Sequence, residues 1–333
     1  MCPQLNAQSI PLTPMRYVLR ADASASIGAG HVMRSSAIAE ELIARGEDVI
    51  FAGRISDLPW VEERIKSLGF TNIYEYPSEY NSNPEYDIII LDSYEIDVDD
   101  SFIEPSKWFR VIAIVDEQTP SYSCGLKIHP GLDSLWTGDS LTPILAGPNF
   151  IPFRKSLSLS LASKSQNNGI IKIVVVAGGS DPHNLVTEVA RILLSFSDNF
   201  EAYLFSNSTS KETLDARFHI VEIGTQLEKL TQNADLVLTT SSTSSLEFIA
   251  RGLCVGVACS VDNQEQYYNS LGDLGVAAQI GFRNSDNNWE LDKEKIQLLV
   301  NSPESRKELV TKAIGLIDFK GASRIADAIL NIQ

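Results

Sequence analysis

A repeating rhythm limits most strongly what this chain can become. Short runs of apolar, β-branched residues alternate with amphipathic stretches, and the alternation comes in two series. The first series has strand-like runs at 16–21 (RYVLRA), 48–53 (DVIFAG), 86–92 (YDIIILD) and 109–116 (FRVIAIVD). Between the first two, Val32, Ile38, Ala39, Leu42 and Ile43 fall at helical spacing over His31 to Arg45, and Gly46 closes the helix. The second series has runs at 170–178, 202–206, 219–224, 234–240 and 254–258, and the stretch from about Leu291 to Ile332 reads as successive helices. Strands that are apolar almost throughout belong to parallel sheets covered on both faces. At 333 residues the chain exceeds what one core usually fills. The expectation is an α/β chain of two Rossmann-like parallel-sheet domains facing a central cleft, over 16–154 and 170–333. The Ser- and Asn-rich segment 155–169 separates them as a linker or a first helix; its Ser/Leu alternation suits an edge strand equally well. Residues 1–15 read as a disordered leader, with Met15 an alternative initiator.

Charge narrows the partners. Lys+Arg number 27 against 43 Asp+Glu, a formal net charge of -16, which argues against nucleic acid and anionic membranes. One phosphate-bearing small ligand remains compatible, because a few local N–H groups hold a phosphate whatever the global charge. Cys2, Cys124, Cys254 and Cys259 are scattered, which suits reduced thiols and a cytoplasmic location. Cys254 and Cys259 lack zinc-type spacing and read as buried strand thiols. No run approaches the ~18 apolar residues of a membrane span, so stable membrane insertion is not expected. A monomer is the expected state.

Open parallel sheets bind ligands beyond the carboxyl ends of their strands, and four loops there carry unusual residues. In 20–34, Arg20 and Asp22 end a strand, and Gly28 and Gly30 precede His31 at a helix start. The glycines permit a tight turn and close approach to a ligand, and a neutral imidazole at that place can take up a proton. In 177–184, Gly178, Gly179 and Ser180 offer backbone N–H groups to an anion; Ser180 or Asp181 capping the following helix accounts for the same residues. In 239–252, Ser242, Thr243, Ser244 and Ser245 suit a diphosphate at a helix N-terminus, and Glu247 suits ribose hydroxyls; ordinary N-cap chemistry is the plainer alternative. In 260–275, Asn263 and Gln264 begin a helix with amides able to reach the cleft, although Asn263 also makes a good N-cap.

Two features weigh less. Asp97, Asp99 and Asp100 form an Asp-x-Asp pattern like that of metal-dependent glycosyl transferases, but a solvated helix start explains them better. His129, His183 and His219 make no metal-ligand spacing, and Walker A, HExxH and GxSxG patterns are absent. Neither a metal nor a cofactor is expected.

Taken in order, the Arg-x-Asp strand end, the GxGH loop, the GGSD loop, the Ser/Thr turn with its Glu, and the Asn-Gln pair resemble one family. It is the UDP-2,4-diacetamido-2,4,6-trideoxy-β-L-altropyranose hydrolases of pseudaminic acid biosynthesis, and the resemblance runs from about Arg16 to Gly281. It implies a GT-B-like fold related to the peptidoglycan N-acetylglucosaminyl transferase. By motif, His31 matches the base that activates water at the anomeric carbon, with UDP leaving and inversion of configuration. Gly28, Gly30, Arg20 and Asp22 match the sugar site; Asn263 and Gln264 line it, and Tyr94 and Arg154 are carried over as substrate-binding. Glu247, the hydroxyls of 242–245 and the loop of Gly178, Gly179 and Ser180 match the nucleotide side. The chain departs from the pattern at Ser93 (usually His), Glu117 (usually Asp) and Phe150 (often Tyr), all on the sugar side. The implied function is hydrolysis of a UDP-linked diacetamido-trideoxyhexose. The alternatives are an inverting GT-B glycosyltransferase and a nucleotide-sugar-binding protein without turnover.

Overall fold

The computed structural model describes residues 14–24, 26–93, 102, 104–116, 122–132, 142–163, 169–178, 181–206, 209, 214–223 and 226–332. The expected leader, 1–15, lies outside them except for its last two residues.

In the first half the strands are β1 (Arg16–Ala21), β2 (Ala23–Ser24), β3 (Asp48–Ala52), β4 (Ile55–Ser56), β5 (Asn72–Tyr74) and β6 (Asp87–Asp92). They continue with β7 (Arg110–Ile114), β8 (Leu126–His129) and β9 (Ile144–Ala146), and the helices are α1 (Gly30–Ala44) and α2 (Pro59–Ser67). Seven strands form one parallel sheet in the order β5-β3-β1-β6-β7-β8-β9, while β2 and β4 pair separately above it. The second half runs β10 (Ile171–Val176), α3 (Leu185–Leu194), β11 (Phe200–Phe205), β12 (Phe218–Val221), α4 (Leu227–Gln232), β13 (Leu236–Thr240) and α5 (Thr243–Ala250). It continues through β14 (Val255–Cys259), α6 (Glu265–Asp273), β15 (Ala278–Arg283), β16 (Trp289–Leu291), α7 (Lys293–Asn301), α8 (Pro303–Ala313) and α9 (Gly321–Asn331). Its sheet, β12-β11-β10-β13-β14-β15-β16, is parallel except for the β15–β16 pair. The chain is thus an α/β structure with two Rossmann-like parallel sheets.

Alternation along each central strand sends neighbours to opposite cores. Tyr17, Leu19 and Ala21 pack with α1 and α2, while Val18 faces Ile50, Ile89 and Trp108. Ile173 and Val175 pack with α3 and α7, and Val174 and Val176 with α5 and its neighbours. Each sheet therefore has the two covered faces that its apolar strands require.

Packing carries the second core ahead of residue 155. Ile151, Phe153 and Leu157 are buried in the core of the second half, so the crossing precedes 155–169. The described part of that segment is a 3-10 turn, Lys155–Ser160, rather than an α-helix or an edge strand. This turn parts the period-two leucines, with Leu157 inside and Leu159 85% exposed. Ala162 and Ser163 then donate backbone N–H groups to Arg251 and Gln232, so this part is docked rather than a loose tether. At the other end α9 crosses back. Its Ile325, Ala326 and Ile329 join the core around α1, and Arg45 binds Asp327 at 2.7 Å and the Ser323 carbonyl at 3.0 Å.

The return crossing is tight at Gly321, where a Cβ would stand 2.0 Å from the Ile151 carbonyl oxygen. Gly321→Ala is expected to lower stability by about 1–3 kcal/mol, the usual cost of overpacking. Urea unfolding followed by circular dichroism checks it.

Candidate active site

Both sheets reverse strand order beside their first strand, the place where open α/β sheets hold ligands. In the first sheet that point lies between β1 and β6, where Ala21 pairs with Asp92. In the second it lies between β10 and β13, where Val176 pairs with Thr239.

The first loop closes on itself before α1 begins. Gly28 donates its N–H to the Ser24 carbonyl at 2.8 Å and sits at φ +81°, a region that favours glycine. Ala29 precedes the helix and no side chain caps it, so the first N–H groups of α1 face the switch point. His31, 9% exposed, is the second residue of this helix.

Its Nδ1 lies 2.6 Å from Asp92 Oδ1. Asp92 is completely buried, and both of its oxygens are filled. Oδ1 also accepts from Arg34 Nη2 at 2.7 Å, and Oδ2 accepts from Arg34 Nε at 2.8 Å and Ser35 Oγ at 2.7 Å. Arg34 further donates to Asp116 at 2.6 and 2.9 Å. Burial alone would raise the Asp92 carboxyl, but the Arg34 guanidinium and His31 outweigh it and hold it well below the usual carboxylate range. Burial likewise opposes the Arg34 charge, and Asp116 and Asp92 keep it. An ionised Asp92 accepts hydrogen bonds and donates none, so its 2.6 Å contact calls for the tautomer with the proton on Nδ1, a nitrogen that Arg34 Nη2 also approaches, at 3.3 Å.

Arg20 and Asp22 stand beside this pair. They form an ion pair at 2.6 Å, and Asp22 also accepts from the Arg54 N–H at 2.7 Å and from Ser93 Oγ at 3.3 Å. Ser93 thus presents its hydroxyl to Asp22. Tyr94 and Glu117 lie outside the described residues, as do Asp97, Asp99 and Asp100.

On the second sheet the starts of α3 and α5 differ. Asp181 accepts from the Leu185 N–H at 2.8 Å and the Val186 N–H at 3.2 Å, so the start of α3 is filled by the protein's own carboxylate. Burial pushes Asp181 up to about 6, against the pull of those two N–H groups. Gly178 turns the preceding loop at φ +70°, while Gly179 and Ser180 are outside the described residues. By contrast, α5 has no side-chain cap, and Ser242, Thr243 and Ser244 are partly exposed at its start. The plain N-cap explanation fails there. Ser245 turns inward, fully buried, with Oγ donating to the Ser242 carbonyl at 2.7 Å, so its hydroxyl is a support rather than a ligand contact. Gln264 Oε1 accepts the Ser260 N–H at 3.1 Å and shapes its own loop; Asn263 shares the short 3-10 turn Asp262–Gln264.

Glu247 and Arg154 meet each other. Arg154 Nη2 is 2.9 Å from Glu228 and 3.5 Å from Glu247, which ties Arg154 to α4 and α5 of the second half. Burial pushes the Glu247 carboxyl up; Arg154 pulls it down.

The two switch points confront each other closely. A Cβ built on Gly30 would be 3.9 Å from Thr243 Oγ1, so the uncapped starts of α1 and α5 share one space. Tyr267 Oη, from α6, donates to the Pro130 carbonyl at 3.2 Å across the same junction. Among the described residues, no group of His, Cys, Asp or Glu is placed to hold a metal, and no helix is long and apolar enough to cross a membrane. Cys254 and Cys259 are buried and form no disulfide. Sequence reasoning missed Arg34, Ser35, Asp92 and Asp116 as site residues. A signal existed for two of them: Arg34 follows His31 by three positions on one helix face, and Asp92 ends an apolar strand at its carboxyl edge.

No protein-family profile matches the chain. An uncharacterized protein of Methanocaldococcus jannaschii is 22% identical over 284 residues, covering 77% of this chain; the chain spans 58% of that relative's length. Among solved structures, MurG of Acinetobacter baumannii superposes with a TM-score of 0.62 at 12% identity, covering 95% of this chain and all of that one. The glycosyltransferase of kitacinnamycin gives 0.65 at 14% identity, covering 96% of this chain and 99% of that one. A putative UDP-N-acetylglucosamine 2-epimerase from Listeria monocytogenes gives 0.60 at 12%, covering 95% and 96%. At such identities the likeness shows the fold, which is of the GT-B kind.

The buried ion cluster yields a stability prediction. Arg34→Met removes the guanidinium that Asp92 and Asp116 share and is expected to cost about 3–5 kcal/mol near neutral pH. In the wild type, the depressed Asp92 contributes stability above the unfolded carboxyl value of about 3.9, lost only as pH falls through its folded value. Without Arg34 the folded carboxylates bind protons more readily than the unfolded ones. The gap between variant and wild type is therefore expected to narrow as pH falls towards about 4. Urea midpoints across that range measure it.

Proposed function

We propose that this chain hydrolyses a nucleotide-activated sugar, with the first half supplying the base and the second holding the nucleotide. The observation that carries the reading is the His31–Asp92 pair at the start of α1, directly opposite the uncapped start of α5. His31 Nε2 takes a proton from water as its oxygen attacks the anomeric carbon. The electron pair of the C–O bond leaves with the diphosphate, whose growing charge meets the α5 N–H groups and the hydroxyls of Ser242, Thr243 and Ser244. Asp92 fixes the imidazole's tautomer and balances the imidazolium, and Glu247 accepts from the ribose hydroxyls. Water, nucleotide-sugar and the two products then balance without a redox partner.

The finer assignment rests on the motifs. The GxGH loop, the Ser/Thr turn with Glu247 and the Asn263-Gln264 pair resemble hydrolases of UDP-linked diacetamido-trideoxyhexoses, and that substrate is the one we favour. The names of the structural neighbours, glycosyltransferases and a UDP-sugar epimerase, give a transferase equal standing on fold. The two differ in whether water or an acceptor hydroxyl sits at His31.

The assay follows UDP release from UDP-linked diacetamido-trideoxyhexoses in 18O-labelled water without acceptor. Label in the sugar and none in UDP is the expected result. His31→Ala is expected to abolish release while UDP still binds, and Asp92→Asn to lower kcat by about 10²–10⁴, as loss of a tautomer-fixing carboxylate does elsewhere. Release that waits for an added acceptor sinks the hydrolase and leaves the transferase. Binding without turnover in either condition leaves a binding protein.

A further inference from the structure

Arg154 stands on the segment that joins the two halves, just after Ile151 and Phe153 enter the second core. Its Nη2 spans Glu228 on α4 at 2.9 Å and Glu247 on α5 at 3.5 Å, and its Nε is buried with no hydrogen-bond partner. The next residue faces the other way: the Lys155 N–H donates to Glu40 at 3.1 Å and its Nζ lies 3.1 Å from Glu41, both on the helix that carries His31. Glu40 is also bound by Arg64 of α2. One dipeptide thus ties the base helix to the nucleotide helix.

We propose that Arg154 is a positioning residue for Glu247, holding it ionised and oriented to receive the ribose hydroxyls of the nucleotide, and does not itself contact the sugar. This rests on the nucleotide-sugar reading above. Ribose hydroxyls donate, and a carboxylate accepts through both oxygens only when ionised. Three charged groups face Glu247: Arg154 from the connecting segment, Glu228 from α4 and Arg251 from its own helix, with Arg64 behind Arg154. Burial and Glu228 push the carboxyl towards its neutral form, and Arg154 opposes them first, with Arg251 adding to it. The Arg251 guanidinium is turned towards α4, donating to Thr231 Oγ1 at 2.7 Å and to the Glu228 carbonyl at 2.9 Å. Removing Arg154 takes the first opposing charge from Glu247 while burial and Glu228 remain, a setting in which the carboxyl protonates more readily.

Calorimetric titration of the full-length protein with UDP, from about pH 6 to about pH 9, tests this, each variant read against the wild type at the same pH. Arg154→Met is expected to weaken UDP by about tenfold near neutrality, where the carboxyl protonates more readily, and to recover to within about threefold at the alkaline end. In turnover it should raise KM and leave kcat nearly unchanged, and Arg154→Lys should restore most of the affinity. Glu228→Gln removes the competing carboxylate and keeps the arginine; it should hold UDP to lower pH than the wild type does, which tests the proposal should Arg154→Met not fold. A loss that is the same at every pH, or a Glu228→Gln profile that matches the wild type, overturns the proposal. A wild type that binds no UDP overturns both it and the nucleotide-sugar reading.

Discussion

One buried carboxylate organises the first half of this protein. Asp92 ends β6 with no exposure to solvent, and its two oxygens receive an imidazole, two guanidinium nitrogens and a hydroxyl, all from α1. A lone carboxylate at such depth would be prohibitively costly; here the guanidinium of Arg34 makes it tolerable and Asp116 takes the remaining donors. The same bonds that neutralise the burial fix the rotation of α1 against the sheet. They also decide which nitrogen of His31 holds the proton. Stability and, in the proposed mechanism, chemistry are therefore set by one cluster.

The second sheet meets the opposite demand. The whole chain is strongly acidic, yet the reading above asks it to hold a diphosphate. The start of α3 is already occupied by Asp181, whereas the start of α5 is left uncapped amid partly exposed hydroxyls. In the proposed reading that difference favours α5 for the anion, where local N–H groups and hydroxyls act against the acidic average. The cations nearby, Arg154 and Arg251, are engaged with protein acceptors and serve the carboxylate that faces the ribose in this reading.

Much of this could be read from residue order, because strand ends and helix starts are local. The two sheets follow from apolar runs, and His31 and the Ser/Thr turn follow from their places after strands. Partners distant along the chain could not be read so. Asp92 lies 61 residues from His31, and nothing local says that these two meet. The strand Leu126–His129 is buried throughout, but Lys127 and His129 interrupt its apolar pattern and hid it. The apolar stripe of α9 announced a buried face without saying which sheet it covers, and it covers the first. Nor could hydroxyls of one turn be ranked: Ser245 and Ser244 look alike in sequence, and only packing turns one of them inward.

The central claim is that ionised Asp92 commits His31 to the tautomer protonated on Nδ1, so that Nε2 faces the reaction as a base. Long-range 15N–1H correlation spectra of the uniformly labelled protein read this directly, with His31 assigned from the His31→Ala spectrum. The account predicts a pyrrole-type Nδ1 and a pyridine-type Nε2 for the neutral ring, with the preference lost in Asp92→Asn. A wild-type ring protonated on Nε2 would contradict it.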